Sequence, residues 1–503
     1  MTIARLIAEL ESRGILLSLA DSEIRYRSPK HALTAADRDD LRARRGDIID
    51  YLQTRNAARA LRAAGGVSGS LMPSVAQEMW RAFAGGKDEG QPVALNIGIV
   101  GKFHHDARSV TAAVRQVVAR YDALRARFEA QGGALLAFLN PAESFEVEQE
   151  DLRNLGPDAA NQAAAKGAQT FCAQVNRIEG QWLTRAKVFA LPQGESLAVL
   201  SCAHMIADAG TRNIILDELH DILDYGAPRA APSVPYNDYS LAEREFLASP
   251  QGAQLIAHWR RWYHDQPVMK APCDGAPLLW GNGIRTVHNF TIPGRVLDKV
   301  RALAERWKVT PFLIYLTIFA IAMARWSGME RFPIRILGDK RTSLELSNTV
   351  GLMFCADAVE IHAPARADFE TIMRGILAEY DAALALRIPA LHFWAPQCVR
   401  PGVEIPDFPN KIPAVFNYYT VGTARERAEK KAGPDTALPW PPEVVSLPPQ
   451  NWPRRSSPLF LHVMDFGHEV AVSLHFYQGS VSAPDQDSFT ALLFQVFAET
   501  VAA

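Results

Sequence analysis

Two periods of apolar recurrence alternate along this chain, the two-residue period of strands and the 3.6-residue period of helices, and their alternation predicts α/β layers. The sharpest junction lies at residues 196–223. SLAVLSC (Ser196–Cys202) is apolar and β-prone, which predicts a buried strand. TRNIILDELHDIL (Thr211–Leu223) sets Ile214, Ile215, Leu216, Leu219, Ile222 and Leu223 on one face, which predicts a helix. Between them, His204, Asp208 and Gly210 occupy a strand-to-helix turn. Such a turn can present one imidazole to a cleft and hold it with a carboxylate, the arrangement proton transfer needs. A histidine at a strand end can equally be a satisfied structural group, and the turn alone leaves both readings open.

The same patterning orders the rest. From Pro73 onward it predicts a helix from Ser74, a strand over Val93–Phe103, a helix over Ala107–Tyr121 and a strand over Ala123–Glu129. A hairpin-like Leu135–Phe138, a long helix over Asp158–Arg177 and a strand over Leu183–Ala190 lead to the key turn. Helices over Ser240–Leu247 and Ala253–Asp265 follow, and irregular Pro267–Asn282 connects two halves. The second half begins with a strand (Ile284–Ile292), two helices (Pro293–Lys308, Pro311–Ser327) and a strand (Phe332–Leu337). It closes with two strands around Gly467 and a helix over Asp485–Thr500. Residues 421–457, rich in charge and then in Pro and Trp, read as an insertion, lid or surface loop, the loop being favoured.

Ahead of this body, Ile3–Arg13 has helical periodicity ending at Gly14. ILLSLADSEIRYR then gives a hairpin turning at Ala20–Glu23, and Thr34 caps a helix with acidic residues in its first turns. This unit leaves a strand edge open to an added peptide strand. Residues 53–72, rich in Ala, Gly and Ser, read as a tether.

Composition narrows the classes. With 503 residues, 48% hydrophobic, 21% charged and a net charge of −2, the chain reads as a soluble protein of two or three domains with no global bias toward nucleic acid or anionic membranes. Five scattered cysteines without a CxxC predict reduced thiols in the cytoplasm, with no disulfide frame and no zinc site. The N-terminus interleaves charge with its apolar residues, unlike a signal peptide. The apolar window Val309–Trp326 carries Pro311 and Thr317 and predicts a helix buried between lobes. His104-His105-Asp106 reads as a turn with Asp106 as N-cap, and Asp465-Phe466-Gly467 as a hairpin turn. No GxSxG, P-loop or HExxH is found.

Several segments, in order, carry a family resemblance. AHMIADAG is similar to the H-H-x-x-x-D-G signature of condensation domains of nonribosomal peptide synthetases. SVAQEMW (Ser74–Trp80), RYDALRARF (Arg120–Phe128), PYNDYSLAERE (Pro235–Glu245), TVGLMFCADAVEI (Thr349–Ile361) and FNYY (Phe416–Tyr419) resemble further motifs of the same family. GILLSLADSEIRYRSPKHALTAADRDDLRARR resembles tubulysin-type β-hairpin docking domains. The resemblance implies two chloramphenicol-acetyltransferase-like lobes in a V-shaped pseudo-dimer (73–266 and 267–503), preceded by a docking domain (1–55) and a linker (56–72).

It also implies an acyltransferase. A chain held as a phosphopantetheine thioester on a carrier protein meets an amine or hydroxyl acceptor, free or carrier-bound, and leaves as an amide or ester. The phosphopantetheine arm arrives with the carrier, so no resident cofactor and no metal is expected. The expected partner is an upstream carrier or synthase subunit, which docks through its C-terminal tail on Leu17, Leu19, Ile24 and Tyr26. No adenylation, carrier or thioesterase segment is found, which favours chain release. Ala203 stands where the signature has its first His, and TVGLMFCADAVEI lacks the motif's Asn and Arg, so a non-catalytic carrier-recruiting platform is the alternative. His204 is the expected proton acceptor. Asp208 is expected to hold the turn, paired with Arg341 or Arg125. Ala209 and Gly210 are expected at the thioester and oxyanion.

Overall fold

The computed structural model describes residues 6, 10, 16–20, 23–27, 34–46, 48–49, 70–78, 86–88, 91–131, 134–174, 176–228, 234–273, 275–279, 284–385, 412–421, 443–447 and 457–502. Most of the expected first helix with Gly14, the tether 53–69 and most of 421–457 lie outside them.

In the N-terminal unit, strands β1 (Leu16–Ala20) and β2 (Glu23–Arg27) pair antiparallel, with Leu17 opposite Tyr26 and Leu19 opposite Ile24. Thr34 and Asp37 cap each other: Thr34 N donates to Asp37 Oδ2 at 2.7 Å and Asp37 N to Thr34 Oγ1 at 3.2 Å. That reciprocal pair starts the helix Ala35–Ala43 as the sequence predicts. Leu6, Leu10, Leu17 and Ile48 of this unit are buried.

The body is mixed α/β. In its first half, β3 (Ser70–Leu71) pairs with β8 (Ala134–Leu139), which pairs with β7 (Ala126–Gln131). Ser70 and Leu71, expected in the tether, are therefore sheet residues. The predicted strand 93–103 is broken at Leu95 into β5 (Gln91–Ala94), paired with β4 (Gly86–Asp88), and β6 (Asn96–Phe103). The predicted strand from Ala123 opens instead with a short helix, Asp122–Arg125. β6 joins β12 (Ser196–Ala203), β11 (Thr184–Ala190) and β9 (Val147–Asp151) in a four-stranded sheet. The two-residue β10 (Asn176–Arg177) extends β5. Helices Ala107–Arg120 and Ala209–Tyr225 pack on this sheet through Val110, Val114, Val117, Ile215 and Leu219, all fully buried.

The second half is a seven-stranded sheet in the order β15-β14-β16-β18-β19-β13-β17, from β13 (Arg285–Ile292), β14 (Arg331–Asp339), β15 (Phe354–His362), β16 (Ala414–Thr420), β17 (Glu443–Leu447), β18 (Leu459–Asp465) and β19 (Val470–Tyr477). Part of the region expected as a loop thus forms the edge strand β17 on β13. Helices Gly294–Trp307, Pro311–Ser327, Phe369–Ala385 and Ala483–Ala502 cover one face. The apolar helix 311–327 is the centre of this second core rather than a spacer between lobes, which explains why nearly every side chain on it is buried. Among the described residues no single helix is long and apolar enough to cross a membrane.

The two cores interlace. Val350, Leu352, Met353 and Ala356, from the second half, belong to the first core, and Val75, Trp259 and Tyr263, from the first half, belong to the second.

Candidate active site

β12 ends at Ala203, and His204 opens the turn that leads to Asp208, the N-cap of helix Ala209–Tyr225. His204 N donates to Leu95 O at 2.6 Å, which ties the turn to the break between β5 and β6. The His204 ring, half-buried, lies 2.9 Å through Nδ1 from Ala207 O, and its centroid is 5.9 Å from the ring of Phe354 on β15. A carbonyl only accepts, so Nδ1 carries the hydrogen and Nε2 is the proton-accepting atom. Burial holds the imidazole pKa below its ordinary value, against the opposing pull of Asp208, so the ring is neutral near pH 7.

Asp208 is 4% exposed, and the hydrogen bonds it accepts favour the carboxylate. Thr211 N donates to Oδ1 at 2.8 Å, completing the N-cap, and Met353 N donates to Oδ2 at 2.7 Å. From the second half, Arg341 meets it as a fork, Nη2 to Oδ1 at 3.0 Å and Nη1 to Oδ2 at 3.1 Å. Burial alone would raise this carboxyl; the Arg341 guanidinium and the two N–H donors outweigh it and hold the pKa below the ordinary value.

Arg341 is held in turn. Nε donates to Thr349 O at 2.8 Å, Nη2 to Thr211 Oγ1 and Gly351 O at 3.0 Å each, and Nη1 to both Asp339 oxygens at 3.0 Å. Arg125, the other candidate partner, lies elsewhere: its Nη1 donates to Asn140 O at 3.4 Å.

Gly210 has a reason different from the one expected. A Cβ there would lie 2.7 Å from Asp339 Oδ2 and closer still to Arg341 Nη1, so glycine makes room for the crossing arginine. Ala209 is the first residue of the helix. Ala203, in the place of the first signature histidine, is fully buried in the first core.

The other motif residues converge beneath this crossing. The Tyr236 hydroxyl donates to Leu352 O at 3.0 Å and meets Ser74 Oγ at 2.8 Å, and its ring fills the space a Cβ on Gly351 would need. Asp122 accepts from the N–H groups of Tyr236 and Asn237 at 3.3 and 2.8 Å. Lys340 Nζ donates to Tyr239 Oη at 2.7 Å and Glu243 Oε1 at 3.1 Å, while Val75 N donates to Glu243 Oε2 at 2.8 Å. Asp339, Thr349, Gly351, Met353 and Phe354 were not picked out by sequence. Their signal is present only in the segments GDKRTS and TVGLMF, whose role depends on contacts across the two halves.

In the docking unit, Tyr26 is 55% exposed and Ile24 half-buried, whereas Leu17 is 2% exposed. The Leu17 side chain is thus covered, whereas that of Tyr26 is open to solvent. The Leu19 side chain lies outside the described residues. Of the expected turns, Asp106 accepts from Ser109 N at 2.8 Å as an N-cap, and Gly467, at φ 85°, turns the β18–β19 hairpin.

Residues 84–383 match the condensation-domain family, and residues 3–54 match the TubC N-terminal docking domain. Among solved structures, one described as the molecular basis for condensation-domain-mediated chain release from the enacyloxin polyketide synthase is 34% identical, with a TM-score of 0.76 over 100% of this chain and 96% of that one. The cyclization-docking bidomain of EpoB from Sorangium cellulosum shares the fold at 16% identity, with a TM-score of 0.63 over 99% of each chain. Among curated relatives, chondramide synthase cmdD of Chondromyces crocatus is 23% identical over 58% of this chain, and phosphinothricin tripeptide synthetase PhsC of Streptomyces viridochromogenes 25% over 55%. The chain spans only 8% and 26% of those two relatives' lengths. It belongs to the condensation-domain family.

Proposed function

We propose that this condensation-domain protein releases an acyl or polyketide chain from a carrier protein by transferring it to an amine or hydroxyl acceptor. Condensation domains form amide or ester bonds in assembly lines. The enacyloxin structure, similar over the whole chain, is described as a chain-release enzyme, which favours release over further elongation. The single observation that carries the reading is the 2.9 Å contact of His204 Nδ1 with Ala207 O, which puts the ring hydrogen on Nδ1 and makes Nε2 the proton-accepting atom.

The chemistry is short because a thioester is already activated, so positioning and one proton acceptor supply most of what is needed. The acceptor N–H or O–H transfers its proton to His204 Nε2 as its heteroatom bonds to the thioester carbon. The oxyanion that forms is held by the N–H groups of Ala209 and Gly210, at the positive end of the helix. Collapse breaks the C–S bond, and the departing pantetheine sulfur takes the proton back from His204. Asp208, locked by Arg341, keeps the turn in place and takes no proton. The docking domain recruits the upstream subunit by adding that subunit's C-terminal tail as a strand to the hairpin, with Tyr26 and Ile24 beside it.

Intact-mass measurement of an acyl-loaded carrier protein tests this. Acyl loss should require an added amine or alcohol and fall about 10²–10⁴-fold in His204→Ala, with circular dichroism unchanged. Carrier binding without acyl loss in the wild type would make the protein a recruiting platform instead.

A further inference from the structure

One face of the seven-stranded sheet carries polar side chains that the reaction above does not use. The strand pairings run Ala356–Leu337–Asn417–His462–Ser473–Asn289 straight across six strands, so these six side chains share a face. The opposite face is the apolar second core. At one end of the row Ala356 lies within the first core and Leu337 packs against it, so this face looks toward the first half. Phe354, two residues before Ala356 and on the same face, is the residue whose ring stands against His204.

The polar members are paired. Asn417 Nδ2 lies 3.2 Å from His462 Nδ1, and Ser473 Oγ donates to Asn289 Oδ1 at 2.6 Å. An amide nitrogen donates, so His462 Nδ1 accepts and the imidazole hydrogen sits on Nε2. That Nε2 is buried and has no hydrogen-bond partner among the described residues. The ring stacks on Phe460 at 3.9 Å and lies 5.1 Å from the ring of His475. Arg285, 3% exposed, stands farther along the same face, two residues before Val287, which pairs with His475. Burial, joined by the Arg285 charge, pushes the His462 pKa down to about 3; burial, the neighbouring His462 and Arg285 push that of His475 down to about 2. Both rings are neutral, and the guanidinium is the positive group that they feel.

We propose that this face binds the distal end of a substrate, and that this end carries a carboxylate accepting a hydrogen bond from His462 Nε2 beside Arg285. A hydrocarbon end would leave a buried N–H unsatisfied, and an ammonium would meet a donor and a cation. A carboxylate offers acceptor atoms and the opposite charge, while Phe460 and Met464 supply apolar wall for the chain leading to it. His462 lies three strands from Phe354, about 14 Å at the usual inter-strand spacing, so the carboxylate sits far from the reacting carbon. The length of substrate implied here rests on the acyl-transfer reading; the carboxylate preference does not.

The carboxylate could terminate the acceptor or the acyl chain, and matched probes separate these sources. One pair is 11-aminoundecanoate and 11-aminoundecanamide. The other is pantetheine carrying a twelve-carbon acyl chain that ends in a carboxylate or in its primary amide. Calorimetry on the full chain should show one pair with the acid bound about tenfold tighter than the amide. His462→Phe should abolish that preference by weakening acid binding far more than amide binding, while His462→Gln, which keeps an N–H in nearly the same place, should retain most of it. Equal binding of acid and amide in both pairs overturns the proposal, and so does an equal loss for acid and amide in His462→Phe. If His462→Phe does not fold, the wild-type preference together with its retention in His462→Gln and loss in His462→Leu decides. Because binding is read without turnover, a protein that discriminates acid from amide yet transfers no acyl group would overturn the proposed activity and leave this site standing.

Discussion

Two turns in the first half begin with the same local instructions and end differently. β6 runs into His104, His105 and Asp106, then a helix; β12 runs into His204 and Asp208, then a helix. The strands are antiparallel neighbours, so the turns sit at opposite ends of one sheet. Both aspartates cap their helix by accepting from the N–H three residues on, Ser109 N and Thr211 N, each at 2.8 Å. Yet the His104 side chain is 88% exposed, with Nδ1 2.9 Å from Glu195, while His204 is half-buried and turned back on its own turn. The second half of the chain makes the difference. Arg341, Gly351 and Met353 close over one turn and nothing comparable covers the other among the described residues. A strand, a histidine and a capping aspartate make a scaffold; a site requires a guanidinium delivered from 133 residues away.

The largest effect that sharpens this contrast comes from removing the guanidinium. Arg341→Ala leaves Asp208 buried and unmatched and should cost about 3–5 kcal/mol in urea unfolding. The pH dependence follows in sign. The folded pKa of Asp208 is lowered, so the stabilisation it contributes is full above the unfolded carboxylate pKa and is lost as pH falls through the folded one. The wild-type advantage over Arg341→Ala should therefore shrink on acidification; an advantage that grows would show that the pair does not work this way.

Gly210→Ala comes next. Its added methyl meets Arg341 and Asp339, and the overpacking should cost about 1–3 kcal/mol. The same change in an Arg341→Ala background should cost measurably less, since the obstructing fork is gone; strictly additive losses in the double-mutant cycle would refute the steric account. Smallest is His104→Ala at the exposed turn, expected to stay within about 0.5 kcal/mol and to leave acyl transfer unchanged. A large effect there would erase the distinction between the two turns.

Local chemistry was readable wherever it sufficed. The β1–β2 hairpin, the Thr34 cap, the Asp106 cap and the helix after Asp208 follow from neighbouring residues alone. Three elements escaped for identifiable reasons. β9 reads VEQED, and as an edge strand it carries acidic residues where alternation would place apolar ones. The turn at Asp122–Arg125 is helical because the Asp122 carboxylate takes the N–H groups of Ala123, Tyr236 and Asn237. β17 is recruited by β13 from a proline-rich stretch whose composition suggests no strand. At the site, His204, Asp208 and Arg341 were all named from sequence, Arg341 through family analogy. The Thr211 hydroxyl, Asp339 and Gly351 matter only once the two halves meet, and no local pattern encodes that meeting.

The interlaced interiors bear on how such proteins could be recombined. Residues 350–356 fill the first core although they lie far into the second half, and Val75 does the reverse. A chimera joined at residue 266 would pair each half with a foreign plug in its centre. Grafting that carries 339–356 along with the first half would keep both the plug and the guanidinium beside the carboxylate they evolved to serve.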